Sequence, residues 1–170
     1  MKKHLYIGLI TLAFLSFGKR TFAQGHTPTP ATGSDYQLAA GLKFGPFEIG
    51  PSIKYFIQKD VALEGILGFR KNGIVFTGLY EQHMTAFNVD GLKFFYGGGA
   101  HFGGMDIGNH DDRYYATRTV KFGIDGLLGL EYKLPETPVA ISLDVDPRIE
   151  FVTGSAFDIA PGLGVKYTFR

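Results

Sequence analysis

Along most of this chain apolar and polar residues alternate one for one, the period of a strand whose two faces meet different surroundings. The clearest run is 139 to 151. One parity there reads Val139, Ile141, Leu143, Val145, Pro147, Ile149, Phe151, and the other Ala140, Ser142, Asp144, Asp146, Arg148, Glu150. The last segment repeats it, with Phe157, Ile159, Pro161, Leu163, Val165, Tyr167 and Phe169 opposite Ala156, Asp158, Ala160, Gly162, Gly164, Lys166 and Thr168. Residues 120 to 133 set Val120, Phe122, Ile124, Leu128, Leu130 and Tyr132 against Lys121, Gly123, Asp125, Gly129, Glu131 and Lys133.

Earlier segments follow with more noise. Leu92, Phe94, Tyr96, Ala100 and Phe102 oppose Lys93, Gly97, Gly99 and His101; Val61, Leu63, Leu67 and Phe69 oppose Glu64, Gly68 and Arg70. Ile49, Ile53, Tyr55 and Ile57 oppose Glu48, Ser52, Lys54 and Gln58, and Tyr36, Leu38, Ala40, Leu42 and Phe44 open the series. Residues 74 to 87 fit least well: Gln82 shares a parity with Phe76 and Tyr80, while Val75 and Leu79 share the other with Glu81 and His83. A bulge is expected there. Turn residues mark 59–60, 88–91 and 134–137, and a long polar loop is expected over 103–118. The count is about eight strands, an even number that returns both chain ends to one side. The fold expected for residues 35–170 is all-β, a closed antiparallel up-and-down barrel.

Composition changes the picture at the N-terminus. Residues 1–23 carry Lys2 and Lys3, the apolar stretch Leu5 to Phe17, and Thr21-Phe22-Ala23, the three parts of a secretory signal peptide. Residues 24–34, QGHTPTPATGS, read as a flexible leader. The formal charge of +1 includes four basic residues of the signal, Lys2, Lys3, Lys19 and Arg20. Without them 13 basic residues face 16 acidic ones, a mature charge of −3, so no basic field is left to hold nucleic acid. Cysteine is absent, which excludes disulfides, thiolate zinc sites, cysteine nucleophiles and a lipid anchor on cysteine. Glycine is 24 of 170, about twice the usual roughly 7%.

Alternation alone fits a soluble barrel with its apolar face inside or a membrane barrel with that face outside. Glycine helps to choose. Gly97, Gly99, Gly123, Gly129, Gly162 and Gly164 share the charged parity, as a narrow eight-strand lumen requires. Apolar rows ending in aromatics, on an exported chain, fit a face turned to lipid, with strands of roughly 9–11 residues long enough to cross when tilted. Phe44, Tyr55, Phe69, Tyr80, Tyr96, Phe102, Tyr132, Phe151, Tyr167 and Phe169 are then expected at the two interfaces.

The closing strand, Gly162-Leu163-Gly164-Val165-Lys166-Tyr167-Thr168-Phe169, is alternating and ends in Phe before Arg170. With it go Ala62-Leu63-Glu64-Gly65-Ile66-Leu67-Gly68-Phe69-Arg70, Thr77-Gly78-Leu79-Tyr80-Glu81, Phe95-Tyr96-Gly97-Gly98-Gly99-Ala100-His101 and Gly123 to Lys133. On these stretches the chain resembles the small outer-membrane β-barrel proteins of Gram-negative bacteria, eight-stranded and of OmpA-like size. The resemblance implies an outer-membrane location reached through the periplasm and a monomer in contact with outer-membrane lipid and lipopolysaccharide. It also implies that Leu163, Val165, Tyr167 and Phe169 form the signal read by the outer-membrane insertion machinery. It implies a fold and a place more than an activity.

Charges on the lumen parity include Lys43, Glu48, Lys54, Glu64, Arg70, Glu81, Lys93, Lys121, Asp125, Glu131, Asp144, Asp146, Arg148, Glu150, Asp158 and Lys166. In a narrow lumen they must pair or be hydrated. The expected outcome is a salt-bridged plug; the rival is a thin ion or proton path, with Asp144, Asp146, Arg148 and Glu150 the first place to look. His83 and His101 share that parity and are expected as structural members of the plug. A lipid A-modifying hydrolase would need a Ser or Thr nucleophile beside a base on the lipid face, and no such arrangement is visible. The expectation is a non-enzymatic structural or surface-interaction protein without a cofactor, and the third rival is a soluble lipocalin-like carrier. Asp106, Asn109, His110, Asp111 and Asp112 offer oxygen ligands, but turn chemistry explains them better. Arg113, Tyr114, Tyr115 and Arg118 beside them suit lipopolysaccharide phosphates or a surface partner.

Overall fold

A computed structural model describes residues 36–46, 48–70, 73–107, 117–152 and 156–169. The signal 1–23, the leader 24–34, and His110, Asp111, Asp112 and Arg113 lie outside the described residues. Eight strands follow one another: β1 (Leu38–Phe44), β2 (Ile49–Phe56), β3 (Val61–Arg70), β4 (Gly73–Thr85), β5 (Leu92–Ile107), β6 (Thr117–Lys133), β7 (Val139–Glu150) and β8 (Ala156–Phe169). Each is antiparallel to the next, and β1 pairs with both β2 and β8, so the sheet closes and leaves no edge. The described residues contain no helix.

The stagger sets the width. Followed from pair to pair, Ala40 leads to Ile53, Gly65, Gly78, Ala100, Ile124, Ile149 and Phe157. Ala40 itself pairs with Tyr167, ten residues beyond Phe157 in β8. Eight strands with a shear of ten tilt by roughly 40–45° around a backbone radius of about 8 Å, room for side chains and little else. The 12 residues of β7 then rise about 30 Å along the barrel axis, enough for an apolar band about 25 Å tall.

The alternation becomes inside and outside. Leu42, Ile53, Leu63, Phe76, Tyr96, Ile124, Leu143 and Leu163, one from each strand, are exposed on the outer surface, while Lys43, Lys54, Glu64, Glu81, His101, Asp125, Asp144 and Lys166 are buried in the lumen. This is the reverse of an apolar-lined carrier. The start of β1, the end of β8 and the turns at 57–60, 86–91 and 134–138 mark one end of the barrel, here the turn end; the opposite end is the loop end. In the turn at 86–91, Val89 donates to the Ala86 carbonyl around Phe87 and Asn88, both at positive φ, the geometry of a tight hairpin turn.

Four expectations need correction. The register through β4 is unbroken on both sides from Gly73 to Gln82, so no bulge exists. The lumen simply accepts Val75 and Leu79 beside Glu81 and His83, because its charged groups do not fill it. The long loop is shorter than 103–118: β5 continues to Ile107 and β6 begins at Thr117, with Asp106 paired to Arg118 in the ladder. Asp106 is therefore a strand residue, since hydrogen bonds between two long neighbouring strands outweigh the turn preference of its polar residues. Tyr36 does not begin the outer row. It precedes β1, turns into the lumen and is 4% exposed. Asp158, on the lumen parity, is exposed at the loop end.

Candidate functional site

Ion pairs cross the lumen, some joining neighbouring strands and others reaching strands on the far side. In the turn-end half, the Lys54 ammonium of β2 lies 2.8 Å from Glu81 of β4, 2.9 Å from Glu131 of β6 and 3.3 Å from Glu64 of β3. It also stands 4.7 Å above the centre of the Phe95 ring. Lys166 of β8 reaches the second oxygen of Glu64 at 3.0 Å. The Tyr36 hydroxyl donates to Glu131. Burial first, then the Glu131 carboxylate, pushes the phenol's pKa well above its ordinary value and keeps it a donor. His83 holds Glu81 at 2.9 Å and packs between Phe56 and Phe95.

Halfway along, Lys43 of β1 binds Asp144 at 3.0 Å and Asp146 at 3.2 Å, both on β7. Gly162 makes that possible, for a Cβ there would come within 2.0 Å of an Asp144 oxygen. In the loop-end half, Arg148 of β7 reaches Glu48 at 2.6 Å and Asp125 of β6 at 3.0 Å. The Thr77 hydroxyl also donates to Glu48, at 3.1 Å. His101 of β5 lies between Asp125, at 2.9 Å from Nδ1, and Glu150, which meets Nε2; Lys121 stands 3.8 Å from Glu150.

The predicted lumen residues thus divide. Glu64, Glu81 and Glu131 converge on Lys54; Asp144 and Asp146 converge on Lys43; Asp125, Arg148 and Glu150 surround His101. Lys93, Lys121 and Arg70 are only partly buried, nearer the ends, with the Lys93 ammonium 5.5 Å from the Phe56 ring centre and Arg70 within electrostatic reach of Glu48 and Glu150. Leu163, Val165, Tyr167 and Phe169 all face outward on β8. Sequence reasoning missed Tyr36, Thr77, Phe56 and Phe95 as members of the network. The parity of Phe95 with Lys93 and Gly97 could have revealed it; nothing in the sequence marks the inward turn at Tyr36.

Among the described residues, eight carboxylates are buried in the lumen against four Lys and Arg side chains, with His83 and His101 between them. Charges this numerous at this depth fix one arrangement, since each depends on partners from other strands. A cavity of about 360 Å³ opens at the turn end between Thr85, Asp90 and Lys93, and its floor is Tyr36 and Glu131. The described histidines both point inward, and no group of three or more His, Asp or Glu among the described residues is placed to hold a metal ion.

Tyr36→Phe isolates the floor. It leaves a buried Glu131 oxygen without its donor and is expected to lower stability by about 1–3 kcal/mol, read from urea unfolding of the refolded barrel. An unchanged midpoint would mean that water replaces the hydroxyl. Compared with models of known protein families and with curated proteins, the chain matches none.

Proposed function

We propose that this protein is an integral outer-membrane β-barrel with a structural or surface-interaction role and a lumen closed by its own charges. The observation that carries the proposal is the sorting of side chains. All eight strands expose large apolar residues outward, a continuous belt far beyond the few hundred Å² of a usual apolar surface patch. Aromatic residues border that belt. The exposed tyrosines among the described residues, Tyr55, Tyr80, Tyr96 and Tyr167, all stand toward the turn end, with Phe87 and Phe169, while Phe44, Phe69, Phe102, Phe122 and Phe151 stand toward the loop end. Tyrosine suits an interface where a ring meets lipid and its hydroxyl meets headgroups. Closure supports the same reading, because lipid tolerates no unpaired strand edge.

A structural role is favoured over a channel because cross-lumen pairs at Lys54, Lys43 and Arg148 occupy successive levels of the bore. A lipid-modifying activity has no outward-facing histidine among the described residues to serve it. The test is direct. Separated membranes should retain the protein through a carbonate wash, and unheated samples should run on a denaturing gel at a different mobility from heated ones. Recovery in the soluble fraction together with a single heat-independent band overturns the proposal.

A further inference from the structure

We infer that His101 is a proton-binding site that locks the loop-end half of the lumen, so that the closed barrel is stabilised by taking up one proton. The ring is buried, 1% exposed, and each nitrogen faces a carboxylate: Nδ1 faces Asp125 at 2.9 and 3.0 Å, and Nε2 faces Glu150. A neutral imidazole has one N–H and one lone pair. Set between two carboxylates, it would aim that lone pair at an oxygen lone pair. Only the imidazolium, with a hydrogen on each nitrogen, satisfies both contacts.

Charged groups face the ring from several strands. From β6 the ring is faced by Asp125 and Lys121, and from β7 by Glu150 and Arg148. Glu48, just before β2, is tied to Arg148, while Arg70 of β3 lies within electrostatic reach of Glu48, Glu150, Arg148 and Asp158 of β8. Asp146 is already held by Lys43. The β4 residue paired with His101 is the uncharged Thr77, which donates to Glu48. Three cations, Lys121, Arg148 and Arg70, meet three buried anions, Glu48, Asp125 and Glu150, with Asp158 exposed beside them, so the charge of the ring is decided by the two carboxylates that face its nitrogens. The fold also leaves a place for the ring: a Cβ on Gly123, its partner in β6, would stand 2.6 Å from His101 Cε1.

A proton at this ring links β5, β6 and β7 through one side chain and, through Asp125 and Arg148, joins them to Glu48. Its loss leaves one of the two carboxylates, Asp125 or Glu150, facing the lone pair of the ring. The lock depends on the lumen alone, whatever covers the outer face. The unfolded ring releases its proton near a pH of about 6.5, so the contribution is whole below that pH and declines as the pH rises.

The mature chain, refolded in detergent micelles, is melted by circular dichroism from pH 6.5 to 8.5 beside its Glu150→Gln variant. In that variant a neutral ring donates from Nδ1 to Asp125 and accepts from the new amide at Nε2, so no charge is needed. The unsubstituted barrel should lose about 5 °C or more over this interval, and Glu150→Gln less than half of that. A flat profile for the unsubstituted barrel, or an equal fall in both, overturns the inference. Should Glu150→Gln fail to refold, His101→Gln supplies the same reading: its midpoint should start low at pH 6.5 and stay level, and a fall equal to that of the unsubstituted barrel again overturns it.

Discussion

Lys54→Met is expected to destabilise the barrel by about 3–5 kcal/mol, a large part of the stability of a single domain. The side chain is fully buried, and its ammonium is the shared partner of Glu64, Glu81 and Glu131. Methionine nearly preserves the shape of the stem, so packing against Phe95 survives and the loss is electrostatic. Glu64 keeps Lys166 at 3.0 Å, but Glu81 is left with His83 and Glu131 with the Tyr36 hydroxyl, neither of which replaces the ammonium. Their desolvation is then only partly compensated, and this, rather than the attraction itself, sets the size of the effect. The comparison that proves the cause adds Glu81→Gln and Glu131→Gln to the same chain. Removing both signs of charge should restore most of the loss, because a neutral hydrogen-bonded cluster costs little to bury. Urea midpoints of the refolded barrels decide it: a loss below about 1 kcal/mol for Lys54→Met, or no recovery in the triple variant, would show that hydration rather than pairing accommodates these carboxylates.

The strand count, the direction of the chain and the burial of Lys43, Lys54, Glu64, Asp144 and Lys166 were legible in the sequence because strand geometry turns alternation directly into two faces. β7 is the plainest case, with every second residue from Ala140 to Glu150 buried. Legibility fails where the faces are not chemically opposite. In β4, Val75 and Leu79 lie inside with Glu81 and His83, so a regular strand reads as a broken one. At 103–107 and 117–118, Gly and Asp suggest a loop, yet two strands paired over their whole length carry the ladder outward through them. What the sequence could not supply is the choice of partners. Parity puts Lys54 and Glu131 in the same lumen, but only the shear of the barrel brings β2 opposite β6 and selects Glu131 as a partner. Tyr36 is illegible for a related reason: it lies before the first ladder pair, Leu38 with Tyr55 and Phe169, and no pleat dictates its side.

The second large effect belongs to the outer face. Leu143 stands in the middle of β7, 62% exposed, flanked along its row by Ile141 and Val145. On a surface bathed in water, Leu143→Arg would change stability by no more than about 0.5 kcal/mol, since nothing is buried there to lose. Against lipid the same change places a guanidinium near the midplane of the hydrocarbon and is expected to cost about 2–4 kcal/mol. Depth supplies the internal control. Phe151 follows the loop end of β7 and is 49% exposed, so Phe151→Arg at the interface should cost only about 0–1 kcal/mol, its long stem carrying the charge out to the headgroups. The two variants should therefore separate by roughly 2 kcal/mol or more when unfolding is measured in phospholipid vesicles. In short-chain detergent, where the apolar layer is thin and yielding, they should draw together. Equal, small losses for both in vesicles would leave the apolar belt without its lipid and return the outer face to a partner protein.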